Sequence, residues 1–169
     1  MFAPPPGTET SGPPSPAPCG STMGAAGVRG RPPLPPSPLT RRRLGAQRTR
    51  DTAPELALRR ELHRRGRRFY VDRAPLPALR RRADLVFPRS RVAVYVDGCF
   101  WHSCPIHATQ PKHNAAWWPA KLATNVDRDR DTDAHLAAAG WVIVRVWEHQ
   151  RSAAAADLVE QALLRPLLP

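Results

Sequence analysis

The sequence is short of cysteine, lysine and acidic residues, and it has no long apolar run. Three cysteines, Cys19, Cys99 and Cys104, cannot all pair internally, and Cys19 lies in proline-rich, low-complexity sequence. This argues against a disulfide scaffold and favours a reduced, cytoplasmic setting in which thiols are free to bind metal. No segment approaches the ~18 apolar residues of a membrane span. The opening "MFAPPPGTETSGPPSPAPCG" has neither the basic nor the apolar region of a secretory signal. Lysine occurs only at 112 and 121, so 24 of the 26 basic residues are arginine, and 14 acids leave a net charge of +12. Between residues 41 and 91 there are 17 arginines and 5 acids. Arginine presents a planar fork of donors that fits phosphate, so a stripe of this density predicts a nucleic-acid partner. The plainer reading is a compositional bias whose charge is simply solvated.

Residues 1–38 carry 12 of the 21 prolines together with glycine and serine, and are expected to form a disordered tail. The folded domain is expected over 39–169, with enough apolar sequence (41%) for one core. In "RTRDTAPELALRRELHRRG", Thr52 and Glu55 have capping-box spacing, Pro54 suits a first helical turn and Gly66 a stop. "RFYVD", "DLVFP" and "SRVAVYVDG" read as strands. Leu122, Asn125, Val126, Asp129, Asp133 and Leu136 recur at helical spacing. "WVIVRVWE" reads as an apolar strand for the sheet centre, and "AAAADLVEQALL" as a closing helix. The order helix, three strands, helix, strand, helix is a compact α/β layout.

The densest chemistry lies in "VDGCFWHSCPIH". Cys99, Cys104 and His107, with distant His149, supply the four thiolate and imidazole donors of a tetrahedral structural site. His102 is a competing ligand, and the alternative is two buried free cysteines with surface histidines. Asp84 opens a strand that a second strand follows, the frame in which metal-dependent nucleases hold Mg2+. The acid-any-lysine continuation of that frame is replaced by Tyr95-Val96-Asp97, and Asp84 could instead cap its strand or pair with Arg80, Arg81 or Arg82. Asp129 falls on the apolar helix face, where a charge requires a partner. Arg145 is one candidate; the other is His102, whose basicity toward a water it would raise. Glu55 has the capping box as its ordinary role. Phe100 and Trp101 form either a core corner or an apolar wedge for base steps. Trp117, Trp118, Trp141 and Trp147 read as packing residues, and His63, His113 and His135 as solvated.

In order along the chain, "DTAPELALRRELHRRG", "ADLVFP", "VDGCFWHSCP", "NVDRD" and "AGWVIVRVWE" resemble the very short patch repair (Vsr-type) endonucleases, over roughly residues 40–150. The resemblance implies a restriction-endonuclease-like (PD-(D/E)xK-type) single α/β domain, with a mixed central sheet flanked by helices and a structural zinc site. It also implies Mg2+-dependent nicking of double-stranded DNA 5′ to the T of a T:G mismatch. On this likeness Asp84 and the main-chain carbonyl of Val96 hold Mg2+; Asp97, a departure from the family pattern, is a candidate further ligand. His102 activates water, Asp129 supports it, and Glu55 sits near the metal waters. Cys99, Cys104, His107 and His149 hold zinc. Phe100 and Trp101 intercalate, Leu44 enters the opposite groove, and Arg41, Arg42, Arg43, Arg81 and Arg82 are expected on phosphates. A cytoplasmic, nucleoid-associated monomer is expected, with mismatch-repair proteins as candidate partners and no membrane.

The family pattern has Thr-His where this chain has Val96-Asp97, which removes one imidazole, and it has a cysteine where this chain has His149. The alternatives are a site-specific restriction endonuclease and a zinc-containing DNA-binding module without catalysis.

Overall fold

The computed structural model describes residues 37–39, 42, 49–107, 109, 111, 112 and 114–165. The expectations for Arg41, Arg43, Leu44, His113 and all but the last two residues of the tail lie outside these. Among the described residues from 49 on, seven elements follow in the expected order: α1 (Ala53–Arg64), β1 (Tyr70–Arg73), β2 (Ala83–Phe87), β3 (Val92–Asp97), α2 (Trp118–Ala138), β4 (Val142–Trp147) and α3 (Ser152–Leu163).

Local chemistry explains the ends of α1. Thr52 is extended at the N-cap and Pro54 lies in the first turn, where its missing N–H is harmless. The expected capping box forms differently. The Thr52 hydroxyl donates to Glu55 at 2.8 Å, and Glu55 reaches past the cap to the Asp51 amide at 3.0 Å. At the other end Gly66 takes a left-handed φ of 75°. This lets its amide bond His63 and the Arg67 amide bond Leu62, satisfying two terminal carbonyls.

The sheet has the order β1-β2-β3-β4, antiparallel except for the parallel pair β3–β4. Side chains alternate between its faces. Leu85, Phe87, Val92, Val94, Val144 and Val146 bury against Leu58 and Leu62 of α1 and Ala155, Ala156 and Val159 of α3. On the other face Val86, Ala93, Tyr95 and Ile143 pack with Leu136 of α2. Two covered faces make the strands read as continuous apolar runs. The same cause corrects the expectation that "WVIVRVWE" is central, for β4 is an edge strand among the described residues. The alternation also turns Arg145 toward α2. No helix among the described residues is long and apolar enough to cross a membrane.

Candidate active site and metal centre

The ladder between β2 and β3 runs from Phe87↔Val92 to Leu85↔Val94. One step further, the Val96 amide donates to the Asp84 side chain, Oδ2, at 2.7 Å. A carboxylate thus takes the place of a strand carbonyl, and the two strands part around it. A strand residue directs its N–H and C=O to the same edge, so the Val96 carbonyl lies on the edge facing Asp84. Burial, with Glu55 and Asp97 as like charges nearby, pushes the Asp84 carboxyl up to about 6 against the pull of the Val96 amide. Its second oxygen has no hydrogen-bond partner among the described residues. Concentrated negative charge at an underused carboxylate suits a hard divalent cation.

This fork opens into a cleft of about 790 Å³ that gathers Glu55, Asp84, Val96, Asp97, His102 and Asp129. Glu55 is buried, and Arg59 holds its second oxygen at 2.9 Å. His102 Nδ1 lies 2.5 Å from Asp129 Oδ2. Burial opposes the imidazolium, but the Asp129 hydrogen bond and the field of Asp97 raise His102 above its ordinary value. Burial likewise raises Asp129, yet His102 and Arg145 bring its carboxyl below the usual range. Ionised Asp129 accepts, so Nδ1 carries the proton and Nε2 is left to act as a base. Both partners weighed for Asp129 are therefore present, since Arg145 Nη2 lies 3.6 Å from its other oxygen.

Arg145 is the hub of this wall. Its Nη1 donates to both oxygens of Asp97 at 2.8 and 2.9 Å, and its Nε and Nη2 reach Asp133 at 3.0 Å. Its guanidinium also covers the Tyr95 ring at 4.8 Å. Asp97, expected as a candidate metal ligand, is thus engaged by Arg145, with His102 Nδ1 3.7 Å away. Arg81 and Arg82 line the cleft but have protein partners. Arg81 ties onto α2 through Asp131 at 2.5 Å and Thr132 at 2.8 Å, and Arg82 pairs with Asp72 at 2.6 Å.

Beside the cleft, the loop after β3 brings Cys99, Cys104 and His107 to His149, which follows β4; their donor atoms all lie within 4.8 Å of one another. Metal–sulfur and metal–nitrogen bonds of about 2.3 and 2.0–2.1 Å place tetrahedral donors about 3.3–3.8 Å apart. Cys99 Sγ lies 3.0 Å from His149 Nδ1, and Cys104 Sγ 3.9 Å from Nδ1 of both histidines. Small side-chain shifts close this set on an ion. Without one, burial and the neighbouring Cys104 push the Cys99 thiol up to about 11, so the thiolate form calls for a cation.

Phe100 and Trp101 are half-buried. Their rings meet edge-on at 5.0 Å and both lean on Trp118, at 5.1 and 6.0 Å. They stand against the entry of α2, outside the two core clusters. Two residues whose part was not read from sequence hold this loop. Asn125 donates to the Trp101 carbonyl at 3.2 Å, and Glu148 accepts from the Cys99 amide at 2.7 Å. An asparagine in helical register with Leu122 and Leu136 was the available signal for the first.

Carboxylates at a strand fork, an imidazole–carboxylate pair opposite them and a basic surface place the molecule among nucleases of mixed α/β architecture. Comparison with known proteins says which kind. Residues 38–107 match the family model described as DNA mismatch endonuclease Vsr. The chain is 42% identical over 120 residues to the type II nicking enzyme V.NaeI of Lentzea aerocolonigenes, covering 68% of this chain and 72% of that one. It is 41% identical over 118 residues to the type II nicking enzyme V.XorIIP of Xanthomonas oryzae pv. oryzae, covering 69% and 85%. It is 37% identical over 101 residues to the DNA mismatch endonuclease Vsr of Escherichia coli K12, covering 59% and 63%. The chain belongs to the Vsr family of DNA endonucleases, whose fold is restriction-endonuclease-like.

Proposed function

We propose that the protein nicks double-stranded DNA 5′ to the T of a T:G mismatch, as a Mg2+-dependent monomer whose cleft loop is held by structural zinc. The observation that carries this reading is the meeting of Asp84, the Val96 backbone, Glu55 and the His102–Asp129 pair in one cleft, with an aromatic pair at its side. His102 takes a proton from the attacking water at Nε2, while Asp129 fixes its tautomer and balances the imidazolium. Asp84 and the Val96 carbonyl would hold the Mg2+, with Glu55 in the same cleft. The bound cation supplies neutralisation of charge developing on the phosphoryl oxygens. Asp97 stays with Arg145 instead of acting as a ligand. Cys99, Cys104, His107 and His149 hold zinc and so brace Phe100 and Trp101, which enter the weakened stack at a wobble pair.

A purified-protein nicking assay on T:G and matched duplexes, with and without Mg2+, tests this. Mg2+-dependent cleavage of the T-bearing strand of the T:G duplex alone is expected. Equal cleavage of a matched sequence supports the second reading, site-specific nicking, which the likeness to two type II nicking enzymes favours. Binding without any cleavage supports a DNA-binding module.

A further inference from the structure

A second basic groove lies along the outer edge of the sheet, away from the carboxylates. It encloses about 1160 Å³ and runs beside β1, past the end of α1, the loop after β1, and the turn between β2 and β3. Five arginines line it: Arg67, Arg68, Arg73, Arg82 and Arg89. Their pairing differs. Arg67 is held by Glu160 at 2.7 Å and Arg82 by Asp72. Arg68, Arg73 and Arg89 are exposed and have no acidic partner among the described residues. Arg73 is steadied by the exposed Tyr70 ring, 4.5 Å beneath its guanidinium. No acid lines the groove.

Arg82 lines both this groove and the catalytic cleft, so the basic groove meets the carboxylate cleft at that residue. Arg68 and Arg73 are five residues apart, a span of at most about 16 Å at ~3.3 Å per residue, since Asp72 between them takes a left-handed φ of 48°. That is about five base pairs of duplex at 3.4 Å each. The turn between β2 and β3 places Arg89 at the far end, beside the residues that precede β1, since Tyr70 pairs with Val86. Free arginine charge is thus spread along a line leading out of the cleft.

We propose that this groove holds the phosphate backbone of the duplex arm on one side of the nick, roughly five base pairs beyond the catalytic cleft. It is a sequence-independent anchor, separate from the residues that would sense a mismatch. It rests on the chain being a DNA endonuclease and not on the T:G reading. Three facts favour a nucleic acid over an acidic protein. The unpaired cations are all arginine, they are strung along an edge, and the groove runs into the cleft of an enzyme that acts on DNA. A plainer role is also open to charges on an edge strand, which discourage pairing with another chain.

The experiment uses the full-length protein and matched duplexes lengthened by two base pairs at a time on one arm only, with affinity measured against salt. Two added phosphate contacts, each releasing about 0.9 counterion, tighten binding by roughly 30-fold at 0.15 M salt and steepen the log–log salt slope by about 2. Lengthening one arm of the wild type should give this gain, and lengthening the other should not. In Arg68→Glu/Arg89→Glu the gain should vanish, while nicking of a duplex too short to reach the groove stays at the wild-type rate. Arg68→Gln/Arg89→Gln, a milder change, should lose most of the gain and guards against a folding defect. The proposal is overturned if both variants keep the full gain, or if the wild type shows none on either arm. A protein that binds matched arms in this way yet ignores T:G mismatches would refute the mismatch reading and leave the groove intact.

Discussion

Replacing Arg145 with methionine is the most informative single perturbation of the site, because one guanidinium serves three carboxylates. Asp97 is 4% exposed, and both its oxygens accept from Arg145. Burial holds the Asp97 carboxyl above its ordinary range even with that cation in contact. Desolvation therefore outweighs attraction on the Asp97 side, whereas for Arg145 burial is outweighed by the carboxylates Asp133 and Asp97, which raise it above its ordinary value. Breaking the pair strands a buried charge, which costs about 3–5 kcal/mol. A domain of this size has about 5–15 kcal/mol in total. At about 4 °C per kcal/mol, Arg145→Met should lower Tm by on the order of 12–20 °C. Methionine keeps the apolar stem, so the loss reports charge more than volume. Adding Asp97→Asn removes the most deeply buried stranded carboxylate and should restore at least about 1.5 kcal/mol, while Asp133 remains without Arg145 and Asp129 keeps His102 alone. Urea and thermal denaturation of the two single variants and the double variant give the coupling directly. A loss below about 1 kcal/mol for Arg145→Met, or strict additivity in the double, would refute the reasoning.

Further outcomes follow from the same structure. The Asp84 carboxyl is raised to about 6, so the folded state is penalised in full above that pH and not at all below the unfolded value near 3.9. Asp84→Asn should abolish nicking in the presence of Mg2+; with Mg2+ left out, it should add on the order of 3 kcal/mol of stability at pH 8 and little at pH 4, and unchanged stability at pH 8 would contradict this. Elemental analysis of protein purified without chelator should find about one zinc, lost in Cys104→Ser together with thermal stability; zinc-free wild type would end the proposal. Trp101→Ala should weaken binding to T:G duplex far more than to matched duplex without altering the salt slope, and equal losses would make Trp101 a packing residue. Removing residues 1–38 should leave Tm and nicking as they are, whereas a fall in Tm would show the tail docked on the domain.

The elements were legible where local chemistry sets them. Pro54 and Gly66 bracket α1, and the helical spacing through Asp129 and Leu136 marks α2. The place of β4 was not legible, because a strand covered on both faces reads the same at the edge as at the centre. Asp129 could be singled out because a charge on an apolar helical face needs a partner, but the choice between His102 and Arg145 needed coordinates, and the answer was both. The hub role of Arg145 joins β3, α2 and β4, with partners 48, 16 and 12 residues away. Only the register of β3 with β4 creates it. Its one signal was a lone arginine in "VIVRVW". Glu55 has capping-box spacing and also lies in the cleft, so spacing alone could not divide its two roles.

The bond from the Val96 amide to Asp84 has a consequence for how this site tolerates change. The Val96 side chain packs on the core shared with α1 and α3, while its main chain faces the carboxylate. Under the proposed role of Val96, the chemistry resides in a backbone amide and carbonyl and is indifferent to side-chain identity, so valine should serve where the family pattern has threonine. A saturation scan at position 96 should accept most compact apolar or β-branched residues. Proline should be the exception, since β3 is an interior strand and proline has no hydrogen to donate to Asp84. Variation at this position would look like drift at a non-essential residue, although the atoms that matter there never change.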